Sequence, residues 1–353
     1  MQVNDLYLHP TVGVIDNSKM MTYKDCPRKF FFKHILGWSS RYPSIHLIFG
    51  SAYHAAQEFL ALKGYDKKNL DEAMQVFLSI YREEFSEATD DDYVKNPERA
   101  EKALASYIKE FKDDPFETLY TEVGIPAPLG DDRVFHLKID KILRRVTDGK
   151  IILMDFKTGS RELKYWAELQ DSRNQFFGYI HGALCRYPFE QVEGLIVRQV
   201  LIYKSSPPKH KSYTVRKNAS QMNAWLSNVR YWYDRMMDDL TRVKQESPDK
   251  RVMEAYPKND NACASFGRLC PFYSHCWASP NPLKYYQTPE DCPSEFESSF
   301  WDPRTDPVSN QLNPETGEIK KIKKIKRKKK EEKKIEVGDG LLSSILGGSK
   351  NDK

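Results

Sequence analysis

The chain has 353 residues, of which 40% are hydrophobic and 12% aromatic, enough for one large core or two small ones. It has no run of about 18 uncharged apolar residues, so we expect no membrane span, and its first ten residues do not resemble a secretory signal, so we expect a cytoplasmic protein. The net charge of +5 is uneven: residues 320–334 contain 11 Lys or Arg and two acids, which leaves the remainder at about 5 − 9 = −4, so bulk charge does not by itself indicate a nucleic-acid binder.

Hydrophobic periodicity predicts helices in the first third of the chain, at residues 19–36, 51–62, 69–85 and 97–111. The first of these is expected to begin near a cap at Ser18 or Thr22. We interpret residues from about 55 to 115 as a helical insertion. Strand patterns then follow at residues 120–126, 134–146 and 151–156.

The rest of the chain returns to helices and strands before it becomes irregular. We predict a helix at 162–186, strands at 194–203 and 212–215, and a long helix at 220–246. The irregular region after this helix contains a group of cysteines. Residues 1–300 are therefore expected to form the folded domain, and residues 301–353 a disordered, Lys-rich tail.

A hairpin formed by residues 134–156 predicts a site with two carboxylates. If Asp148-Gly149 is a two-residue turn, Asp140 lies opposite Lys157. Since side chains alternate between the faces of a strand, Asp140, Asp155 and Lys157 then share one face, with the two Asp residues about 7–8 Å apart as diagonal neighbours. Two carboxylates at that separation can bind one divalent ion.

The main alternative is a simple ion pair between Asp140 and Lys157. The flanking residues 151–154, and Ile139 and Ile142, are apolar. Charges at the end of buried strands are costly unless they have a role, which favours the functional interpretation. Glu122, on the preceding strand, is a further acidic candidate, and an exposed charge at a strand end is its alternative.

The six cysteines are Cys26, Cys185, Cys263, Cys270, Cys276 and Cys292. In a cytoplasmic protein these are not expected to form disulfides. Three of them, at 263, 270 and 276, lie within fourteen residues, which indicates a metal site. Thiolates suit both zinc and iron–sulfur clusters, so the residues alone leave both open.

These motifs together resemble the PD-(D/E)XK nuclease superfamily and, within it, the RecB-like branch. Asp140 and Asp155-Phe156-Lys157 resemble the D…(D/E)xK signature, and three further motifs occur in the expected order: GxxxH at Gly50–His54, KTG at Lys157–Gly159 and QxxxY at Gln175–Tyr179. The resemblance implies an α/β (α+β) fold with a restriction-endonuclease-like core, in which helices flank a mixed central sheet. One departure is Leu137, where the family often has Gly.

The resemblance also implies a role for each site residue. Asp140 and Asp155 would be Mg²⁺ or Mn²⁺ ligands, joined by His54 and the carbonyl of Phe156. Lys157 would orient or deprotonate the attacking water, or neutralise the developing charge. Gln175 and Tyr179, one helical turn apart, would face the DNA strand.

The cysteines resemble the iron–sulfur staple of AddB-type, CRISPR-associated and phage nucleases. In those proteins one N-terminal cysteine and three C-terminal ones hold a [4Fe–4S] cluster, which here would be Cys26 with Cys263, Cys270 and Cys276. The six residues between Cys263 and Cys270 make a longer gap than in AddB-type proteins. Zinc is the alternative.

The function implied is a DNA nuclease, specifically an exonuclease of recombination, repair or phage replication in a bacterial or phage-infected cell. The alternatives are a structure-specific endonuclease and a non-catalytic DNA-binding module of the same fold. In the tail, the basic run at 320–334 is expected to attract DNA phosphates. Residues 340–347, GLLSSILG, are a candidate docking peptide for a replication or recombination protein.

Overall fold

The computed structural model describes residues 4–265 and 267–322. Its α-helices are α1 Asn17–Asp25, α2 Pro27–Phe30, α3 Ile45–Lys63, α4 Leu70–Tyr81, α5 Pro97–Phe111, α6 Trp166–Asp171, α7 Asn174–Leu184, α8 Ala219–Gln245 and α9 Tyr273–Ala278. Its strands are β1 Ile15–Asp16, β2 Trp38–Ser40, β3 Phe116–Gly130, β4 Arg133–Arg145, β5 Ile151–Gly159, β6 Val192–Leu201, β7 Lys209–Val215, β8 Ala264–Ser265, β9 Arg268–Leu269, β10 Phe296–Ser298, β11 Asn310–Leu312 and β12 Ile319–Lys321. The candidate docking peptide and most of the basic run lie outside the described residues.

The central sheet is mixed. Within the described residues its strand order is β12-β11-β3-β4-β5-β6-β7, and β1 pairs with β4. β3, β4 and β5 form an antiparallel meander. β6 pairs in parallel with β5, and the connection between these two strands contains α6 and α7. β7 is antiparallel to β6. This confirms the predicted α/β class with helices flanking a mixed sheet.

Helices cover both faces of the sheet, which explains why β5 is a nearly continuous apolar run. On one face, Ile151 and Leu153 belong to a core shared with α1, α7 and α8. On the other face, Ile152 and Met154 pack with Tyr107 of α5. A strand buried on both faces has no polar side to reveal its alternation. Asp155 therefore continues the same face as Ile151 and Leu153, towards α7.

The β4–β5 turn differs from the prediction. Lys141 pairs with Met154 and Arg144 with Ile151, so the two-residue turn at Asp148-Gly149 is wrong. A longer loop closes instead through the bond from the Arg145 N–H to the Lys150 carbonyl, 2.8 Å. The register is shifted by two residues. Because faces alternate with period two, a shift of two preserves the face of every side chain.

The shift brings the two predicted carboxylates closer together along the sheet. Extended by one position from the pair Lys141 and Met154, the observed register places Asp140 directly opposite Asp155. Directly opposed residues lie nearer than the diagonal neighbours that the sequence predicted. The shared face therefore holds, although the reasoning about the turn does not.

Two predicted helices are interrupted. The predicted helix at 19–36 is divided into α1, α2 and a π-helical turn at Phe31–Ile35. Its break is at Cys26, which is extended and precedes Pro27, because a residue before proline disfavours the helical region. Asp16, rather than Ser18 or Thr22, caps α1 by accepting the Lys19 N–H, 2.8 Å. The predicted helix at 162–186 is likewise two helices, α6 and α7.

Residues 301–322, predicted to be disordered, instead extend the sheet. β11 pairs in parallel with β3, Asn310 beside Val123, and in antiparallel with β12. Leu312 is fully buried in the main core. The polar composition concealed a turn, in which the Asn313 side chain accepts the Glu315 N–H and Gly317 has a positive φ of 68°.

No helix in the described part of the chain is long and apolar enough to cross a membrane.

Leu312→Ala should lower the free energy of unfolding by about 2–5 kcal/mol, because it empties a buried leucine site. Equilibrium denaturation with urea would measure the change. Lys320→Ala, an exposed change on the neighbouring strand, is the matched control and should fall within about 0.5 kcal/mol of the wild type. Equal stabilities for the two variants would mean that β11 does not belong to the cooperative core.

Candidate metal centre

The centre of the candidate site is a pair of buried aspartates in the middle of the adjacent strands β4 and β5. Asp140 of β4 is 6% exposed and Asp155 of β5 is 1% exposed. Asp140 Oδ2 accepts the backbone N–H of Phe156, 2.9 Å, so β5 holds the orientation of the β4 carboxylate. Lys157 Nζ lies 2.7 Å from Asp155 Oδ2, and its hydrogen bond goes to Oδ1, 2.9 Å. The lysine therefore pairs with Asp155, not with Asp140 as the simple ion-pair alternative required.

One oxygen of this pair lacks a hydrogen bond. Asp155 Oδ2 is buried, and among the described residues no hydrogen bond of regular geometry reaches it, although the Lys157 ammonium lies 2.7 Å away. A buried carboxylate oxygen is normally satisfied, and each exception needs an explanation. A lone pair kept for a metal ion is one that fits the donor chemistry.

α3 brings a histidine to the same place. His54 Nδ1 lies 3.2 Å from Asp140 Oδ2. The ring also meets Phe156 edge-on, with 6.1 Å between centroids. This helix begins at Ile45, earlier than the predicted residue 51, so His54 lies well inside it and not at its start.

Glu122 of β3 completes the group. One ligand atom each of His54, Glu122 and Asp140 lie within 4.8 Å of one another. Glu122 has a positive φ of 44°, in a region that non-glycine residues rarely occupy, between the ladder pairs at Thr121 and Val123. Strained backbone of this kind is often found at functional sites. The alternative of an exposed strand-end charge for Glu122 is wrong, because the residue is buried.

The charges of the centre divide its carboxylates into two kinds. Burial raises the pKa of Asp155 and of Glu122, and the nearby charge of Asp140 raises both further. Asp140 is also buried, but the charge and hydrogen bond of His54 outweigh that effect and hold its pKa below the ordinary value. Burial lowers the pKa of His54, but the charge and hydrogen bond of Asp140, together with the charges of Glu122 and Asp155, raise it above the ordinary value. A divalent cation would favour the ionised form of all three carboxylates.

α7 faces the lysine side of the centre. Lys157 Nζ donates to Gln175 Oε1, 3.3 Å, and Gln175 Nε2 donates to the Tyr179 hydroxyl, 2.7 Å. Tyr179 is only 4% exposed, and burial raises its pKa well above the ordinary value. Gln175 and Tyr179 share a helix face, as the i, i+4 spacing predicts. Tyr179, however, is buried in the core and binds the Gln175 side chain through its hydroxyl.

Two supporting residues escaped the sequence analysis. Glu58, one turn after His54 on α3, accepts the Thr121 hydroxyl, 3.1 Å, and the Ser309 hydroxyl. Lys138 pairs with Glu122, 2.9 Å. The i, i+4 relation of Glu58 to His54 was a usable signal. Ser309 lies in the segment predicted to be disordered, so its contact had no signal in the sequence.

The four cysteines of the predicted staple are brought together. Cys26 lies between α1 and α2, and it lines one cavity with Cys263, Cys270 and Cys276. The Cys270 N–H donates to the Cys263 carbonyl, 2.8 Å, closing the hairpin of β8 and β9. Across the described residues, no three cysteine sulfurs lie within 4.8 Å of one another. Cys185 and Cys292 do not line this cavity.

Comparison with known proteins identifies one family. The model of the PD-(D/E)XK nuclease superfamily matches residues 17–277, which is 261 of the 353 residues. The match begins with α1 and ends in α9, so it includes both aspartates and all four cysteines of the cavity. No curated protein matches the chain.

Two solved structures are similar to the chain at low identity. One is a candidate exonuclease from Eubacterium rectale, 16% identical, covering 66% of this chain and 82% of that one with a TM-score of 0.34. The other is the protein SSO0001, 13% identical, covering 52% of this chain and 74% of that one with a TM-score of 0.24. Neither similarity is close enough to carry an argument about function.

Glu122→Gln should weaken Mn²⁺ binding by at least about tenfold. Replacing a residue that only hydrogen-bonds to a metal ligand already lowers the metal affinity by about 10–100-fold. Isothermal titration calorimetry with MnCl₂ would measure the affinity. Glu117→Gln, the same change at an exposed position of β3, is the matched control and should bind like the wild type. If the two variants bind Mn²⁺ equally, Glu122 is not a ligand.

Proposed function

We propose a function from one premise: the chain belongs to the PD-(D/E)XK nuclease superfamily, whose model matches well over half of it. The proposed activity is metal-dependent hydrolysis of phosphodiester bonds in DNA. The proposed mode is that of an exonuclease in recombination, repair or phage replication. The convergence of His54, Glu122 and Asp140 within 4.8 Å is the observation that carries this proposal.

The donors fit the metal that such hydrolysis needs. Carboxylate oxygens suit Mg²⁺ and Mn²⁺, and one imidazole nitrogen is compatible with Mn²⁺. We assign Asp140, Glu122 and His54 as ligands, with Asp155, whose Oδ2 is ion-paired with Lys157, as a fourth. The carbonyl of Phe156 stays a proposal taken from the family resemblance. When bound, the metal supplies a Lewis acid that activates water and stabilises charge on phosphorus.

Lys157 has the position of a residue that acts on the attacking water. Its ammonium is held between Asp155 and Gln175, at 2.7 and 3.3 Å. It is also partly exposed, unlike the aspartate it pairs with. A donor fixed by two acceptors at the edge of a buried centre can orient a water molecule or stabilise negative charge without reorganising. We therefore propose that Lys157 is catalytic and does not ligate the metal.

We propose that Gln175, rather than Tyr179, approaches the DNA. Tyr179 is buried, and its hydroxyl oxygen accepts a hydrogen bond from the Gln175 amide. The Gln175 side chain thus has a fixed orientation between the core and Lys157. Its place beside the catalytic lysine suits a contact to the strand being cut, and Tyr179 then positions it.

For the cysteines we propose a [4Fe–4S] cluster of the RecB-like branch. Four thiolates on one zinc ion, at about 2.3 Å each in a tetrahedron, must lie about 3.8 Å apart. Among the described residues no three sulfurs lie within 4.8 Å of one another, so as a set they are spread more widely than that. A cluster places each thiolate on a different iron and so accommodates wider spacing. All four cysteines nevertheless line one cavity, as a shared group requires.

Lys157→Met and Asp155→Asn should each reduce cleavage by about 10²-fold or more, the usual contribution of a positioned acid–base or charged group. Lys150→Met, in the same hairpin but remote from the centre, should retain full activity. The assay is digestion of end-labelled linear DNA with Mg²⁺ or Mn²⁺, with circular DNA in parallel. Full activity in Asp155→Asn would refute the assigned site, and cleavage of circular DNA would refute the exonuclease mode.

Protein purified without oxygen should be brown and contain about four irons per chain. Cys26→Ser should lose the iron and lower the melting temperature, whereas Cys185→Ser should retain both. Iron analysis, the visible spectrum and thermal unfolding measure these outcomes. Stoichiometric zinc without iron would contradict the cluster.

A further inference from the structure

A second cavity lies beside the candidate metal centre. It has a volume of about 510 Å³ and is bordered by the start of α3, the loop before α5, the end of β5 and the hairpin β8–β9. The polar side chains that line it include Ser44, His46, Lys95, Ser160 and Arg268. None of these residues has been given a role above.

The cavity adjoins the proposed catalytic lysine. Lys95 Nζ donates to the Thr158 hydroxyl, 2.8 Å, and lies 3.4 Å from its carbonyl oxygen. Thr158 follows Lys157 directly in β5, and Ser160 lies two residues further along. Two elements join the cavity to the metal centre: His46 lies about two turns before His54 in α3, and Ser160 directly follows β5, three residues after Lys157.

The cavity is basic. Lys95, Arg268 and His46 line it, with Asp92 as the acidic residue among its lining. In the part of the chain that the structure describes, none of the three basic side chains forms an ion pair with a carboxylate. Burial lowers the pKa of His46, and the charges of Lys95 and Arg268, which are therefore close to it, lower it further.

The N-terminal end of α3 adds to the positive electrostatic potential of the cavity. This helix has 19 residues, no acidic residue in its first turn, and a cap residue, Ser44, whose side chain makes no capping bond. The positive end of the helix dipole thus faces the cavity without a compensating charge from its own first turn.

Arg268 reaches the cavity on the hairpin between two cysteines. Ala264 pairs with Leu269, and Ser265 with Arg268, within the six residues that separate Cys263 from Cys270. Arg268 is exposed and belongs to the short strand β9. The six residues between these cysteines therefore form a hairpin. The hairpin starts and ends at the cysteine cavity and places Arg268 in the basic one.

We propose that this basic groove, defined by His46, Lys95, Ser160 and Arg268, binds backbone phosphates of single-stranded DNA next to the bond that is cut. The proposal rests on the proposed nuclease function and extends it by naming where the strand lies. Lys95 and Arg268, which form no ion pair with a carboxylate among the described residues, suit phosphates, whose negative charges repeat along the strand, and the His46 imidazole adds a hydrogen-bond donor. Tyr42, at the rim beside Pro43, is 82% exposed, and an exposed aromatic ring next to a basic groove suits the stacking of an unpaired base.

The test is binding of a fluorescent single-stranded oligonucleotide in EDTA, where cleavage does not occur. Arg268→Glu should weaken binding about fivefold or more, and lower the slope of log K against log salt by about 0.7 for each phosphate that the variant no longer neutralises. Arg251→Glu, the same charge reversal at an exposed arginine outside the groove, is the matched control and should change both quantities much less. Equal binding by the two variants would overturn the groove.

A second variant protects the test from effects on the cysteine hairpin. His46→Glu lies on α3, outside the cysteine hairpin, and should also weaken binding, because it adds a negative charge to the groove, at unchanged melting temperature. If Arg268→Glu weakens binding but His46→Glu does not, the groove as defined is wrong. An equal loss on blunt duplex DNA would overturn the assignment to a single strand.

The outcomes separate this proposal from the nuclease assignment. Wild-type cleavage together with control-like binding by Arg268→Glu would remove the groove and leave the nuclease. Weakened binding by Arg268→Glu and His46→Glu, with full activity in Asp155→Asn, would keep the groove and remove the assigned catalytic site.

Discussion

The arrangement depends on one electrostatic constraint, the burial of three carboxylates inside the neighbouring strands β3, β4 and β5. Glu122, Asp140 and Asp155 are each less than a tenth exposed. Removing such charges from water costs several kcal/mol each unless partners compensate for it. The partners come from separate elements: His54 from α3, Lys138 from β4 and Lys157 from β5. The packing of α3 against the sheet is thus tied to the chemistry of the centre, since without it Asp140 would lose its principal neighbour.

The same constraint explains why the last described strands belong to the site. The positive φ of Glu122 is unfavourable for a residue with a side chain, and it persists only if the surroundings enforce it. The segment at β11 provides that support, because the Ser309 N–H donates to the Glu122 carbonyl, 2.9 Å, and the Asn310 amide to the Thr121 carbonyl, 2.7 Å. Glu58 accepts hydroxyl groups from both Thr121 and Ser309, which joins α3 to these two segments. The strained backbone at Glu122, a proposed ligand, is therefore held by contacts with β11 and with α3.

The sequence was sufficient for the shared face of Asp140, Asp155 and Lys157, because that conclusion depends only on the parity of the register. It was insufficient for the register itself, since a tight-turn signal at Asp148-Gly149 does not fix the length of the loop around it. It also failed for β11 and β12, which have three residues each. Strands that short have no measurable alternation, and β11 is stabilised by pairing with β3, a contact between residues far apart in sequence, while β12 pairs only with β11. The cysteine motif could be recognised in the sequence. That the hairpin between Cys263 and Cys270 lies near the end of β5 could be learned only from the fold.

The helical segment after Cys26 contacts the segment that contains the other three cysteines through more than the sulfurs. Arg28, in the helix after Cys26, donates to the carbonyls of Tyr256 and Met253, 2.9 and 3.1 Å. Phe32 stacks on Phe272, with 5.5 Å between centroids. These contacts hold α2 against the C-terminal segment whether or not a group is bound to the cysteines. The hairpin between Cys263 and Cys270 has fewer such anchors, because both of its short strands are exposed. A group on the four thiolates would therefore stabilise this hairpin most, and through Arg268 the basic groove, and would stabilise the sheet less.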